Sequence, residues 1–225
     1  VINALKQNKI DFVTGVPDSL FKDLCKKFDK EFKKKHLIAA NEGSAIGLGI
    51  GYYLAKGKLP LIYLQNSGLG NTFNPLISLA DKKIYRIPLF LLIGWRGEVI
   101  KKNEQIDDEP QHKKQGLITE KLLKSLDIKY KIINKESNFK KIFYKLKNYA
   151  IKNSATVALL VRKNSIEKKI IIKKKINVKL FKRRNALKIV NENLPKSIAR
   201  ISTTGMLSRE LNEINIEKKS EQNTF

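Results

Sequence analysis

Glu42 lies between an apolar run, His36 to Ala40, and a stretch of small residues, Ser44 to Ala55, that carries Gly47, Gly49 and Gly51. The run reads as a short buried strand and the stretch as a helix. Glycine in a helix interior costs about 1 kcal/mol relative to alanine, so three of them predict that something approaches this helix closely. A carboxylate at a strand-to-helix junction suits proton exchange with a bound heteroatom. It also suits the positive end of a helix dipole with no ligand present, and the residue alone does not decide between the two. A second junction follows. Leu61 to Gln65 runs into Asn66-Ser67-Gly68-Leu69-Gly70-Asn71-Thr72, and a helix is expected from Phe73 to Leu79. A Gly-x-Gly loop there bares backbone N–H groups and leaves room for a flat or anionic ligand. An ordinary strand-to-helix turn has the same look.

The elements that must position these residues alternate. Strands are expected at Phe12–Thr14, His36–Ala40, Leu61–Gln65, Leu89–Gly94, Tyr130–Ile133 and Thr156–Val161. Helices are expected at Leu20–Phe28, capped by Asp18 or Ser19, and at Ser44–Ala55, Thr119–Leu126 and Phe139–Asn153. Trp95 to Gln115 reads as a polar loop. This order predicts an α/β fold: a parallel sheet with helices on both faces and ligand-binding loops at the carboxyl ends of the strands. The expected division is a first domain over 1–163, a linker over 164–180, and the beginning of a second, similar domain over 181–225. In that second part a helix is expected at Phe181–Asn193 and a strand at Ala199–Ser202. The stretch from Asn212 to Phe225 reads as polar, weakly structured chain.

Several strings stand in a telling order: Gly15-Val16-Pro17-Asp18-Ser19, Asn41-Glu42-Gly43, Gln65 to Thr72, and Asn74-Pro75-Leu76. They resemble the pyrimidine-binding domain of thiamine diphosphate-dependent 2-oxoacid decarboxylases. Three more strings narrow the resemblance: Leu91 to Gly97, Asp108-Glu109-Pro110-Gln111-His112 with Gln115-Gly116, and Thr203 to Leu211. Together they are similar to the phosphonopyruvate decarboxylases, with the sulfopyruvate decarboxylases as near relatives. The resemblance covers nearly the whole chain.

The resemblance implies loss of CO2 from 3-phosphonopyruvate, with sulfopyruvate or another anionic 2-oxoacid as the alternative. It implies thiamine diphosphate and Mg2+, the metal ligands being expected beyond residue 225, so that these 225 residues alone should be inactive. It gives Glu42 the hydrogen bond to a nitrogen of the cofactor's aminopyrimidine. Ser67, Gly68, Gly70 and Asn71 would line the pyrimidine pocket, and Thr204 and Gly205 would contact the diphosphate. Asp18 and Ser19 would meet the substrate, although N-capping explains each of them equally well. Arg96 could grip a phosphonate with two hydrogen bonds. His112 could protonate the carbon left after CO2 departs, or be a surface histidine in an acidic loop. Because the family's diphosphate is held by the neighbouring subunit, a homodimer or larger assembly is implied. The Glu98 to Asp107 stretch is longer than its counterpart in the family.

Composition bounds the rest. There is no apolar run long enough to span a membrane and no signal peptide, which predicts a cytoplasmic protein. Cys25 is the only cysteine, and it is expected to be a small buried hydrophobe. Two histidines and one cysteine give no metal-ligand spacing. The net charge of +25 raises a different class, a basic nucleic-acid-binding protein. Against it, only 7 of the 46 basic residues are arginine, and the lysines are spread along the chain. A diffuse positive field suits the steering of a small anion better.

Overall fold

The computed structural model describes residues 1–101, 104–166, 181–195, 197–203 and 205–217. Six strands form one parallel sheet: β1 (Val13–Gly15), β2 (His36–Ile38), β3 (Leu61–Gln65), β4 (Phe90–Gly94), β7 (Lys129–Ile133) and β8 (Val157–Val161). Their order is β2-β1-β3-β4-β8-β7. β1 pairs with β2 on one side and β3 on the other, so the connections reverse direction there and open a crevice at the carboxyl edge. A separate antiparallel pair, β5 (Val99–Lys101) and β6 (Glu104–Gln105), follows β4.

Alternation along the strands explains the layers. In β4, Phe90 and Leu92 face a core shared with α1 (Ile2–Gln7), α2 (Lys22–Phe32) and α6 (Phe139–Asn153), through Leu5, Phe28 and Phe143. Leu91 and Ile93 face the opposite core, with α3 (Glu42–Lys56), α4 (Leu69–Pro75) and α5 (Pro110–Ser125), through Ile46, Leu69 and Leu123. Every residue of β4 and β8 is buried, as strands covered on both faces require. The chain divides into two compact units, residues 1–170 and 171–225. In the second, α7 (Arg183–Asn193) is tied to α8 (Met206–Glu217) by a two-pronged Arg183–Glu210 pair at 2.8 and 2.9 Å.

Three expectations are corrected. α5 begins at Pro110, well before Thr119, because Pro110 occupies a first-turn position where its missing N–H costs nothing. The expected loop from Trp95 to Gln115 therefore holds the β5–β6 pair and the first turns of a helix. α8 runs to Glu217 where weakly structured chain was expected, since Leu211 and Ile214, three apart, are both buried. Residues 218–225, most of the expected linker, and Thr204 lie outside the described residues.

The glycines of α3 separate into two kinds. A Cβ on Gly49 would lie 2.6 Å from Ile62 Cδ1, a fully buried side chain. Cβ atoms on Gly47 and Gly51 would meet nothing within 4 Å. Gly47→Ala should therefore stabilise the isolated chain by up to about 1 kcal/mol, a rise of roughly 2–4 °C in Tm. Gly49→Ala should lower Tm, because overpacking costs about 1–3 kcal/mol. Thermal denaturation of the two variants checks both.

Candidate functional site

The site loops follow β1, β2, β3 and β4 at the carboxyl edge, where peptide groups leave the sheet and side chains from separate segments can converge. Glu42 is the first residue of α3, and Asn41 caps that helix by accepting the Ser44 N–H at 2.8 Å. Asn71 Nδ2 donates to Glu42 Oε2 at 2.8 Å. The Glu42 carboxylate lies against Gly68, where a Cβ would come within 2.3 Å of Oε1. This close fit is what the glycine of the Ser67–Gly70 loop allows. Glu42, Gly68 and Asn71 thus form one cluster, with a carboxylate acceptor beside an amide. Gly70 is exposed and crowds nothing.

A second cluster joins Asp18, Ser19, Arg96 and His112. Asp18 is 3% exposed. Its Oδ1 accepts from the Leu20 N–H at 3.0 Å, and its buried Oδ2 has no hydrogen-bond partner. Burial pushes the carboxyl pKa up, against the opposing pull of the Leu20 N–H and Arg96. Gly94 makes room for it, since a Cβ there would sit 1.8 Å from Oδ2. Arg96 donates from Nη1 to Ser19 Oγ at 3.3 Å. Its Nε donates to Asp108 Oδ2 at 2.7 Å, and its Nη2 donates to Asp108 Oδ1. The two-pronged face expected to grip a substrate anion is therefore turned to Asp108, whose pKa this pairing lowers.

His112 lies in the first turn of α5, half-buried, with Nδ1 3.5 Å from Gln65 Nε2. The same amide nitrogen donates to Ser67 Oγ at 2.8 Å. Trp95 is buried and donates from Nε1 to the Gly116 carbonyl at 3.2 Å. Gly205 precedes α8 in the second unit, and its N–H donates to Ser208 Oγ at 3.2 Å.

Sequence reasoning assigned no role to Asn66, Gln105 or Glu98. Asn66 accepts the Arg96 N–H and donates to the Arg96 carbonyl, both at 3.0 Å, and also donates to Thr119 Oγ1 at 2.9 Å. Gln105 Nε2 donates to the carbonyls of Gly97 and Lys113, fastening β6 across the start of α5. Glu98 is buried and accepts the Lys163 N–H at 3.1 Å, and burial raises its pKa. Two successive amide residues, Gln65 and Asn66, directly after the apolar run Leu61 to Leu64 were the available signal for Asn66.

Residues 1–118 match the family model described as "Thiamine pyrophosphate enzyme, N-terminal TPP binding domain". The chain belongs to this family. It is 38% identical over 161 residues to the sulfopyruvate decarboxylase subunit alpha of Methanocaldococcus jannaschii, covering 71% of this chain and 89% of that protein. It is 37% identical over 121 residues to the phosphonopyruvate decarboxylase of Streptomyces viridochromogenes, covering 54% of this chain but 28% of that protein. Among solved structures, benzoylformate decarboxylase from Polynucleobacter necessarius superposes with a TM-score of 0.54 at 15% identity, over 89% of this chain and 36% of that one. That likeness speaks to the fold. Among the described residues no helix is long and apolar enough to cross a membrane.

Asp18 makes a stability prediction with a definite sign. Its folded pKa lies above the ordinary value of 3.8, so ionisation disfavours the folded state. The penalty is absent below the ordinary value and grows as the pH rises through the folded one. Asp18→Asn keeps the Oδ1 acceptor for Leu20 and removes the buried charge. Denaturant unfolding should find the variant more stable than the parent at neutral pH, with the gain vanishing as the pH falls toward 3.8.

Proposed function

We propose that this chain supplies the pyrimidine-binding half of a thiamine diphosphate-dependent decarboxylase that converts 3-phosphonopyruvate to phosphonoacetaldehyde and CO2. The observation that carries the reading is the Glu42 carboxylate held between Gly68 and Asn71 at the carboxyl edge of the sheet. An acceptor that can exchange a proton, set beside an amide donor, complements a ring nitrogen and its neighbouring amine. When bound, the cofactor accepts the electron pair released as the carboxylate carbon departs. Glu42 holds and returns the proton at the ring nitrogen. Ser67 and Asn71 orient the ring, and Asp18 and Ser19 face the substrate. His112 supplies a proton to the product side. For Mg2+ the donors do not suffice: among the described residues no group of three acidic, histidine or cysteine side chains stands together. Thr204 and Gly205 are proposed to lie near the diphosphate.

Sulfopyruvate is a second reading with its own support. Asp108 already neutralises the Arg96 fork, which leaves less local positive charge for a dianion than for a singly charged sulfonate. The similarity to the archaeal alpha subunit points the same way. The complete enzyme, supplied with thiamine diphosphate and Mg2+, should release CO2 from a 2-oxoacid bearing a second tetrahedral anion far faster than from pyruvate. Parallel assays of phosphonopyruvate and sulfopyruvate decide between the two, and preference for pyruvate would defeat both. Glu42→Gln should lower kcat by at least the 10²- to 10⁴-fold typical of a lost acid–base group, with the fold retained by circular dichroism.

The proposed partner is a second copy of this chain, docked on α3 and α4. Gly47, Gly51 and Gly70 are exposed there beside Leu48, Leu54 and Ile77. From Leu37 to Ala55 the only charged side chain is Glu42, and from Leu59 to Ala80 there is none. A chain of net charge +25 repels its own copy everywhere except across such an uncharged face. Leu54, 70% exposed, is the place to test it. Leu54→Lys should leave the fold intact and shift sedimentation toward the monomer, whereas an unchanged association state would remove this face from the assembly.

A further inference from the structure

The Arg96 fork is occupied by Asp108, so the second anion of a substrate needs another cation. The end of β8 supplies one. Gly94 and Val161 are the last ladder pair of β4 and β8, and the Trp95 N–H carries the pairing on to the Val161 carbonyl at 2.9 Å. Arg162 therefore stands beside Trp95 at the carboxyl edge. Its guanidinium lies over the Trp95 ring, 6.0 Å from the centroid. Contact with a ring face orients the planar group and leaves its N–H edge open. Arg162 is half-buried, and among the described residues it enters no ion pair.

The backbone that carries Arg162 is closely held. Its N–H donates to the Ile133 carbonyl at 3.0 Å, and Ser165 Oγ donates to the same carbonyl at 3.2 Å. The Ser165 N–H returns to the Arg162 carbonyl at 3.2 Å and closes a turn. The third residue of that turn, Asn164, has a φ of 62°, a left-handed backbone that asparagine tolerates. Glu98, 5% exposed, accepts the Lys163 N–H at 3.1 Å and ties the turn to the loop after β4. One carboxylate against Arg162 and Lys163 leaves the turn positive.

Between this turn and the loop after β1 lies a cavity of about 50 Å3, whose lining includes Ser19, Leu20, Arg162, Asn164 and Ser165. A single water needs about 10–15 Å3 of such space, so the oxygens of a phosphonate or sulfonate have room. Ser19 joins the cavity to the cluster already described, because its Oγ accepts from Arg96 Nη1 at 3.3 Å.

We propose that Arg162 and Ser19 receive the second tetrahedral anion of the substrate in this cavity. The guanidinium offers two charge-assisted hydrogen bonds and the hydroxyl one, and together they set a preference for anionic over simple 2-oxoacids. The proposal rests on the decarboxylase reading for the identity of the substrate, not for the binding of the anion.

Two measurements on the complete enzyme test it. In Arg162→Gln, kcat/KM for phosphonopyruvate and sulfopyruvate should fall roughly tenfold to a hundredfold, mostly through KM, and pyruvate, with no second anion, should lose far less. Whichever of the two anionic substrates loses more is the one the cavity selects. Arg162→Lys keeps the charge without the fork and should fall between parent and Arg162→Gln. It serves in place of the glutamine variant should that fail to fold by circular dichroism. The second measurement needs no turnover: the phosphorus-31 NMR line of methylphosphonate should broaden with the parent and not with Arg162→Gln. A loss on pyruvate equal to that on the anionic substrates would show a structural role for Arg162 and overturn the proposal. So would a line that stays sharp with the parent, or one that broadens equally with Arg162→Gln. A parent enzyme that turns over no anionic 2-oxoacid defeats the decarboxylase reading instead, and the NMR comparison still decides whether Arg162 binds the anion.

Discussion

The carboxyl edge of this fold is organised by one buried amide. Asn66 presents its side chain to the backbone of Arg96 as a neighbouring strand would, accepting the N–H and donating to the carbonyl. Its remaining donor hydrogen goes to Thr119 on α5. The loops after β3 and β4 are thereby held in register beyond the last ladder pair, Gln65 with Gly94. Once the Arg96 backbone is fixed, its guanidinium reaches Asp108 on one side and Ser19 on the other, and α5 is anchored with His112 toward Gln65. Inside a low-dielectric edge such an amide is worth keeping only when all its groups are answered, because an unanswered buried polar group costs about 1–3 kcal/mol.

Charge is distributed against the trend of the surface. The molecule carries +25 overall, yet at the carboxyl edge Asp18 and Asp108 flank a single guanidinium, Arg96, and Glu42 stands in the cluster with Gly68 and Asn71. The two scales do different work. A diffuse field of lysines raises the local concentration of small anions and weakens with salt. The carboxylates at the edge act over one bond length, and their environments differ. Asp108 is held ionised by Arg96, whereas Asp18 is pushed toward its neutral form by burial. Carboxyl groups driven apart in this way can serve as an anchor and as a proton carrier within one small space.

Much of the fold was legible because buried parallel strands are nearly pure apolar runs. Leu61 to Gln65 and the α6 span Phe139 to Asn153 have the bounds read from sequence. The start of α5 was hidden because Gln111 to Gln115 is as polar as a loop. Gly116 interrupts its pattern for a reason found only in three dimensions, since a Cβ there would lie 1.6 Å from the Gly97 carbonyl oxygen. Glu42 and Asn71 were legible as separate signals at two strand ends. Their hydrogen bond was not, because it depends on the spacing of α3 and α4. Arg96 was legible as an anion partner from its residue type, but its pairing with Asp108 was not, because the two residues are brought together by the loop after β4 and the start of α5.

The two helices that carry Glu42 and Asn71 meet opposing demands along their lengths. At their N-termini they must close on each other, and Gly43 and Gly68 permit it: a Cβ on Gly43 would lie 2.9 Å from the Asn71 carbonyl. Farther along α3, Gly47 and Gly51 give up helix stability for no contact within the chain, and Gly70 does the same in the first turn of α4. Helix propensity alone would replace them with alanine. Their retention makes energetic sense if the lost stability is recovered when a second backbone packs against them, as small residues allow at close helix crossings. On the proposed reading the same event that covers this face completes the cofactor site at the helix ends. Assembly and cofactor binding would then be linked through α3 and α4, each strengthening the other by the same factor.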